Sequence, residues 1–211
     1  MFDRLREDID CVMERDPAAR SRLEVMLLYP GFKAIRMHRR ANWCYRHRLF
    51  FLARWISQRA AHKTGAEIHP AATLGRRVFI DHGSGVVIGE TAVVGDDVTL
   101  YQGCTLGGTG KDTGKRHPTI GNRVLVGSGA KVLGPFTVGD DVNIAAGAVV
   151  LKAIPPNCTA VGVPARIVKR DGVRVVNDLN QIDIPDPVAQ EIERLNARIR
   201  TLEEKLEEQQ S

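Results

Sequence analysis

Cysteines and aromatic side chains are both scarce in this chain of 211 residues. Phe, Trp and Tyr make up 5% of it, as expected if the core consists of thin layers of Val, Ile and Leu. The cysteines are too few for a disulfide scaffold and lack the paired spacing of a metal site. We therefore expect reduced thiols at the four positions Cys11, Cys44, Cys104 and Cys158.

Long apolar runs are also missing. The most apolar stretch, 49–56, contains Arg54 and is far too short to cross a bilayer. The first residues are charged, unlike those of a secretory signal. The sequence thus predicts a cytoplasmic protein that does not bind a membrane.

Positive charge is unevenly distributed. Residues 20–63 contain eleven Lys or Arg against one acid, Glu24. Such a cluster could attract phosphate groups. No nucleic-acid motif accompanies it, however, and its aromatic residues follow a helical spacing. We interpret it as a solvated helical face and expect no nucleic-acid partner.

A six-residue repeat runs through the middle of the chain. Aliphatic residues recur at six-residue steps, and this rhythm is interrupted twice. A hexapeptide period is typical of a parallel β-helix and suits neither an α-helix nor an amphipathic hairpin. The thirteen positions are Ile68, Leu74, Ile80, Ile88, Val94, Leu100, Leu106, Ile120, Val126, Val132, Val138, Ile144 and Val150.

The segment before the repeat has helical patterns. Asp16 followed by Pro17 indicates a helix that begins with Asp16 as its N-cap. A second amphipathic pattern predicts one long helix from about 32 to 61. We predict a helical domain at 1–63 and the β-helix domain at 64–170.

The C-terminal part changes period again. Residues 171–187 indicate a linker, because their prolines disfavour helix. Residues 188–211 predict a coiled-coil helix, although this helix could instead dock on its own subunit. Its apolar residues have alternating spacings of four and three: Val188, Ile192, Leu195, Ile199, Leu202 and Leu206.

Both interruptions of the repeat carry histidine. The first, 80–85, is two residues too long for one step, and its Asp81 and His82 are followed by Gly83 and Gly85, which permit a non-repeating turn. Glu67 precedes His82 by fifteen residues, near one three-sided coil, so its carboxylate could contact the His82 ring. That contact would fix the tautomer and make the other ring nitrogen a base.

The second interruption is a glycine-rich loop between Leu106 and Ile120 that ends in Arg116-His117-Pro118. We expect this loop to project from the wall of the solenoid. Its Gly107–Lys111 segment does not have the spacing of a phosphate-binding loop, and Asp112 stands where Ser or Thr would bind magnesium.

Seven motifs together resemble the serine O-acetyltransferase family, over about 16–169. They are Asp16–Ala18, Glu67–Ala71, Ile80–Gly83, Gly89–Ala92, Thr105–Lys111, Arg116–Pro118 and Gly162–Arg166. The resemblance implies a left-handed parallel β-helix that trimerises, with each active site between adjacent subunits. It also implies transfer of acetyl from acetyl-CoA to the L-serine hydroxyl, giving O-acetylserine for cysteine biosynthesis, without a metal.

The resemblance implies a role for each matching residue. His82 would be the general base and Glu67 would orient it. Asp16 and Asp81 would bind the serine ammonium group. Arg116 and His117 would bind its carboxylate. The positions that match acetyl-CoA contacts are Gly108, Thr109, Ser128, Ala146 and Arg166.

The family also suggests partners. L-Cysteine would inhibit by occupying the serine site, and the assembly would be a homotrimer or a dimer of trimers. The chain ends Gln209-Gln210-Ser211, without the terminal isoleucine that many relatives insert into O-acetylserine sulfhydrylase, so we do not expect that complex.

Three alternatives stay open at this point. One is a hexapeptide acetyltransferase for another acceptor, and another is a scaffold without catalysis. The third is a γ-type carbonic anhydrase using His69, His82 and His117 as zinc ligands, although the histidine pair five residues apart that those enzymes carry is missing here.

Overall fold

The computed structural model describes residues 2–110, 113–170, 192 and 194–199. Its helices are α1 (Phe2–Arg15), α2 (Arg22–Leu28), α3 (Pro30–Arg46) and α4 (Phe50–Thr64). The strands that follow are β1 (Glu67–Ile68), β2 (Thr73–Leu74), β3 (Phe79–Ile80), β4 (Val87–Ile88), β5 (Val93–Val94), β6 (Thr99–Leu100), β7 (Thr105–Gly107), β8 (Thr119–Ile120), β9 (Leu125–Val126), β10 (Lys131–Leu133), β11 (Thr137–Val138), β12 (Asn143–Ile144), β13 (Val149–Val150), β14 (Cys158–Val161) and β15 (Arg166–Arg170).

The strands form three sheets that wrap around one apolar core. Sheet A has the order β1-β4-β7-β10-β13, sheet B β11-β8-β5-β2 and sheet C β15-β14-β12-β9-β6-β3. All described pairings are parallel except that of β14 with β15. Each coil therefore contributes one short strand to each sheet, which is the architecture that the hexapeptide period predicts.

The repeated aliphatic residues build the core. Each of them occupies the second position of one strand from β1 to β13. All are buried except Leu74, which is partly buried. Equivalent residues stack on one another, as Ile68 does on Ile88 and Ile80 on Leu100. Burial of these side chains is the main stabilising contribution to the coil.

The chain turns between sheets at corners that we name by the sheets they join. The C–A corner contains the turns that follow β3, β6, β9 and β12. The A–B corner contains those that follow β1, β4, β7 and β10. The first interruption of the repeat lies on the C–A corner, and the second lies on the A–B corner.

The predicted helix start at Asp16 is wrong. Helix α1 ends at Arg15, and the N-cap of α2 is Ser21, whose Oγ accepts a 3.2 Å hydrogen bond from the Glu24 N–H. Asp16 lies in the turn between them, where its Oδ1 accepts a 2.8 Å bond from the Ala18 N–H. An aspartate that bonds two residues ahead in a turn has the same local signature as an N-cap.

The single helix predicted over 32–61 is wrong as well. It is two helices, because α3 ends at Arg46 and α4 begins at Phe50. Arg48 has a φ of 62°, a left-handed conformation that stops a helix without glycine or proline. Helix α4 packs against β1, and this packing favours the turn at Arg48. No local sequence signal predicts the turn.

The helices are seated tightly on the first coil. Phe79 of β3 joins a second apolar cluster with residues of α1, α2 and α3. A Cβ on Gly31 would lie 1.9 Å from the Ile80 carbonyl oxygen, so only glycine permits this approach. Further along the chain, Asn42 Nδ2 donates to the Pro70 carbonyl at 2.8 Å. The start of α3 thereby lies beside Asp81 and His82, which follow β3.

Two further predictions concern membrane-spanning helices and the C-terminal segment. Among the described residues, no helix has the length and apolar character needed to cross a membrane.

Ile192 and residues 194–199 are helical, and the side chains of Ile192, Leu195 and Ile199 are about half exposed. The linker at 171–187 and the remainder of 188–211 lie outside the described residues, so the coiled coil stays a prediction.

Candidate active site

The first interruption presents His82 to solvent. His82 has a φ of 59°, which is uncommon for a residue other than glycine. The stacked left-handed position of this corner is occupied by Gly85, Gly103, Gly129 and Gly147, so His82 is an additional left-handed residue within the interruption. The His82 side chain is 74% exposed, so its ring can reach a bound molecule. An exposed histidine with a left-handed backbone at an interruption of the repeat is a candidate functional position.

His82 lies beside Asp81, which in turn lies near Asp16 and Tyr29; we name these four residues the Asp–His cluster (Asp16, Tyr29, Asp81 and His82). The Tyr29 hydroxyl donates a 2.7 Å hydrogen bond to Asp16 Oδ2. His82 Nε2 lies 3.9 Å from Asp81 Oδ1. The fold thus brings together two residues before α3 and two after β3.

The Asp–His cluster carries an excess of negative charge. Burial raises the pKa of Asp81, and the nearby Asp16 carboxylate raises it further, against the effect of His82. Burial, followed by the hydrogen bond to Asp16, raises the pKa of Tyr29 to about 12. The phenol therefore stays protonated as a donor, and the two carboxylates favour a cation between them.

The second interruption builds what we name the Arg–His cluster (Glu90, Thr91, Arg116 and His117). Arg116 Nη2 donates to Glu90 Oε2 at 2.5 Å. His117 Nδ1 lies 2.9 Å from Thr91 Oγ1 and 3.2 Å from the Thr91 backbone nitrogen. The turn after β4 therefore holds both Arg116 and His117 at the end of the long loop.

Charge and burial shape this cluster too. The hydrogen bond from Arg116 is the first cause that lowers the pKa of Glu90. Burial lowers the pKa of His117, and the Arg116 cation lowers it further. Burial likewise lowers the pKa of His69, which lies near Glu90. The Arg116 cation therefore lies near two neutral imidazoles, those of His117 and His69, a combination suited to an anionic group.

The two clusters occupy different corners of one chain. The Asp–His cluster is on the C–A corner and the Arg–His cluster is on the A–B corner, with sheet A between them. Among the described residues, no hydrogen bond or ion pair joins the two. Glu67 forms a 3.7 Å ion pair with Arg54, and no described hydrogen bond links it to His82. The described contacts therefore leave the two clusters as separate groups of residues on one chain.

The five candidate acetyl-CoA positions also divide between the corners. Ser128 and Ala146 lie on turns stacked below His82, joined by a 2.8 Å bond from the Gly147 N–H to the Ser128 carbonyl. Ala146 is exposed and Ser128 is partly buried. Gly108 and Thr109 are exposed in the long loop, and Arg166 is exposed at the start of β15. Small side chains on stacked turns leave room for an extended ligand along the C–A corner.

Sequence reasoning assigned no role to Tyr29, Glu90 or Thr91. Glu90 and Thr91 belong to a motif shared with the family, which was the available signal. Tyr29 carries no local sequence signal of a functional role. Its bond to Asp16 spans thirteen residues and depends on how α3 packs on β3.

A hexapeptide β-helix with an exposed histidine beside a carboxylate is the arrangement expected of the class of hexapeptide-repeat transferases. Residues 117–152 match the family described as "Bacterial transferase hexapeptide (six repeats)". Residues 1–37 match the family described as "Serine acetyltransferase, N-terminal". Both matches agree with the fold described above.

A serine acetyltransferase of Bacillus pumilus is 53% identical over 214 residues, which cover 98% of this chain and 99% of the relative. The chain belongs to the serine acetyltransferase family. This membership confirms the resemblance predicted from the motifs. It favours the serine enzyme over the three alternatives that the sequence left open.

Solved structures of serine acetyltransferases are similar to the fold of this chain. The Brucella abortus serine acetyltransferase in complex with coenzyme A has a TM-score of 0.79 at 48% identity, covering 81% of this chain and 68% of that one. A serine acetyltransferase in complex with cysteine has a TM-score of 0.82 at 41% identity, covering 86% and 71%. The Neisseria gonorrhoeae enzyme in complex with serine has a TM-score of 0.76 at 39% identity, covering 80% and 69%. The predicted left-handed parallel β-helix is thereby confirmed.

Proposed function

We propose that this chain transfers the acetyl group of acetyl-CoA to the hydroxyl of L-serine, forming O-acetylserine and coenzyme A. The family membership supports this activity, and so do the relatives whose structures contain coenzyme A or serine. The observation that carries the assignment to residues is the convergence of Asp16, Asp81 and His82 beside the exposed C–A corner.

His82 is the general base in this proposal. The serine hydroxyl attacks the thioester carbonyl carbon while His82 takes its proton. The tetrahedral intermediate then collapses, the carbon–sulfur bond breaks, and the departing thiolate takes the proton from His82. No metal is required for this sequence, and the absence of a metal requirement stays a prediction.

The two clusters bind the two charged ends of serine. Asp16 and Asp81 bind the ammonium group, because their paired carboxylates favour a cation between them. Arg116 and His117 bind the carboxylate as charged and neutral donors. Since these pairs lie on separate corners of one chain, we propose a homotrimer in which each site lies between neighbouring subunits. A dimer of such trimers remains a prediction from the sequence.

Glu67 supports His82 in this proposal by moving from Arg54. The Glu67–Arg54 pair is long and both side chains are about half exposed, so its contribution to stability is small. Acetyl-CoA extends along the C–A corner past Ser128 and Ala146, with Arg166 available for a phosphate. Gly108 and Thr109 of the neighbouring subunit close over it.

L-Cysteine is proposed as an inhibitor at the serine site. It has the same ammonium and carboxylate groups as serine, so both clusters can bind it, and a structural relative is in complex with cysteine. Added cysteine should raise the apparent KM for serine without lowering kcat at saturating serine. The cytoplasmic location and the absence of a sulfhydrylase complex stay predictions.

The decisive experiment measures thiol release from acetyl-CoA with L-serine and with other acceptors. His82→Ala should lower kcat by about 10²–10⁴-fold, the usual contribution of a placed base. His62→Ala is the matched control, since His62 is also exposed but lies on α4. Full serine-dependent activity in His82→Ala would refute the base. Equal release with water or with sugars as acceptors would refute the substrate.

A further inference from the structure

The Thr91 hydroxyl has an unusually complete set of partners. Its Oγ1 accepts hydrogen bonds from the backbone N–H groups of Arg116 at 3.0 Å and His117 at 3.1 Å. A hydroxyl has two acceptor lone pairs and one donor proton. Both lone pairs are therefore used, and the proton remains for the third neighbour, His117 Nδ1, at 2.9 Å.

A second donor reaches the same ring nitrogen. The Thr91 backbone N–H donates to His117 Nδ1 at 3.2 Å, and a backbone N–H cannot act as an acceptor. Nδ1 thus receives two donors from one residue and cannot itself carry a proton without losing both. The neutral ring must then carry its proton on Nε2.

We propose that Thr91 is a positioning residue that holds His117 as the Nε2–H tautomer, so that Nε2–H is the donor offered to the substrate carboxylate. This inference rests on the proposed function for the identity of the acceptor but not for the tautomer itself. It deepens that function by assigning how one member of the carboxylate site is prepared before serine arrives.

The surroundings of His117 agree with a neutral ring. The charged and titratable groups that face it are Arg116, Lys115, Glu90 and His69. Lys115 is held nearby through a 2.8 Å bond from its Nζ to the Thr91 carbonyl. On its other side the ring packs against Gly89, where a Cβ would lie 2.1 Å from Nε2. Burial and the two cations oppose a further proton on the ring, which lowers the pKa of His117.

The tautomer can be measured directly in the full chain. The protein contains six histidines, so selective ¹⁵N labelling of histidine gives a spectrum that can be assigned by loss of one signal in His117→Gln. At pH 7 we expect Nδ1 of His117 to show the chemical shift of an unprotonated nitrogen and Nε2 that of a protonated one. The reverse pattern, or an imidazolium, would overturn the proposal whether or not the protein is active.

Kinetics provide the second arm. Thr91→Val keeps the shape of the side chain and removes its hydroxyl, whereas Thr91→Ser keeps the hydroxyl. We expect Thr91→Val to raise KM for serine about tenfold, the effect of losing an ordered hydrogen bond to a carboxylate. KM for acetyl-CoA should change by less than about twofold, and Thr91→Ser should restore the value for serine.

The outcomes separate this inference from the proposed function. Equal loss in Thr91→Val and Thr91→Ser, or equal increases in both KM values, would show a merely structural role and refute the positioning by Thr91. If the unmodified protein acetylates no serine while the NMR spectrum shows the Nε2–H tautomer, the function fails and the tautomer assignment stands. If Thr91→Val does not fold, the spectrum of the unmodified protein still decides.

Discussion

The Tyr29 hydroxyl holds Asp16 through a 2.7 Å hydrogen bond at the place where α3 meets the first coil. Asp16 uses its other carboxylate oxygen to accept the Ala18 N–H. The hydrogen bond to Oδ1 therefore stabilises the turn between α1 and α2. The hydrogen bond to Oδ2 orients the carboxylate toward Tyr29, which directly precedes α3. The helical domain thus places a carboxylate beside Asp81 on the solenoid.

Replacing Tyr29 with Phe tests this connection. Tyr29→Phe removes the donor to Asp16 and keeps the ring, so the Asp16 carboxylate loses its fixed orientation. We expect KM for serine to rise by about three- to tenfold, as for the loss of one hydrogen bond to a charged group. KM for acetyl-CoA provides the internal control. An unchanged KM for serine would mean that Tyr29 does not position Asp16 for binding.

Replacing Asp81 with Asn should raise the stability of the folded protein and weaken serine binding. Its pKa is raised in the folded protein, first by burial and then by Asp16, so ionised Asp81 destabilises the fold at pH values above that pKa. Asp81→Asn should therefore raise Tm at pH 7. Because this penalty disappears as Asp81 takes up a proton, the gain should vanish as the pH falls to about 4.

The same variant should bind serine poorly. We expect KM for serine to rise at least about tenfold, because a charged hydrogen bond to the ammonium group is lost. Thermal unfolding followed across pH, together with steady-state kinetics, checks both parts. A Tm difference that is the same at pH 4 and pH 7 would contradict the assigned cause.

Gly89 should be essential for the position of His117. A Cβ at Gly89 would lie 1.9 Å from His117 Cδ2, closer than real side chains approach, so Gly89→Ala must displace the ring. We expect KM for serine to rise by more than about tenfold. Gly147→Ala is the control, because the φ of 69° at this position would strain an alanine but no atom lies within 4 Å of the added Cβ. Similar KM values for serine in both variants would show that displacement of His117 has no consequence.

The predicted coiled-coil helix at 188–211 should contribute to assembly of the oligomer. Ile192, Leu195 and Ile199 are helical and about half exposed, as expected of a seam that needs a partner. A chain ending at Asp171 should lose thermal stability or assemble into a smaller particle, which sedimentation and thermal unfolding would detect. Unchanged mass and Tm would remove the coiled coil from the assembly.

The solenoid could be predicted in detail because its rule is local. Every aliphatic residue of the repeat occupies the second position of a strand, and both interruptions lie at corners. The helical domain was harder. The end of α3 depends on Arg48 in a left-handed turn, and Asp16 has the composition of an N-cap but the position of a turn. Such boundaries are decided by packing on the first coil, which no local pattern records.

By itself, the sequence determined the stacked coil and the residue types available for chemistry, because a six-residue period can bury its aliphatic face only by stacking. The tertiary structure decided which of those residues meet. Tight seating of Gly31 on Ile80 brings Asp16 and Tyr29 to Asp81, and the turn after β4 captures Arg116 and His117. These contacts join residues distant in sequence, so they depend on close packing of helix on strand and loop on coil, which a one-dimensional pattern does not contain.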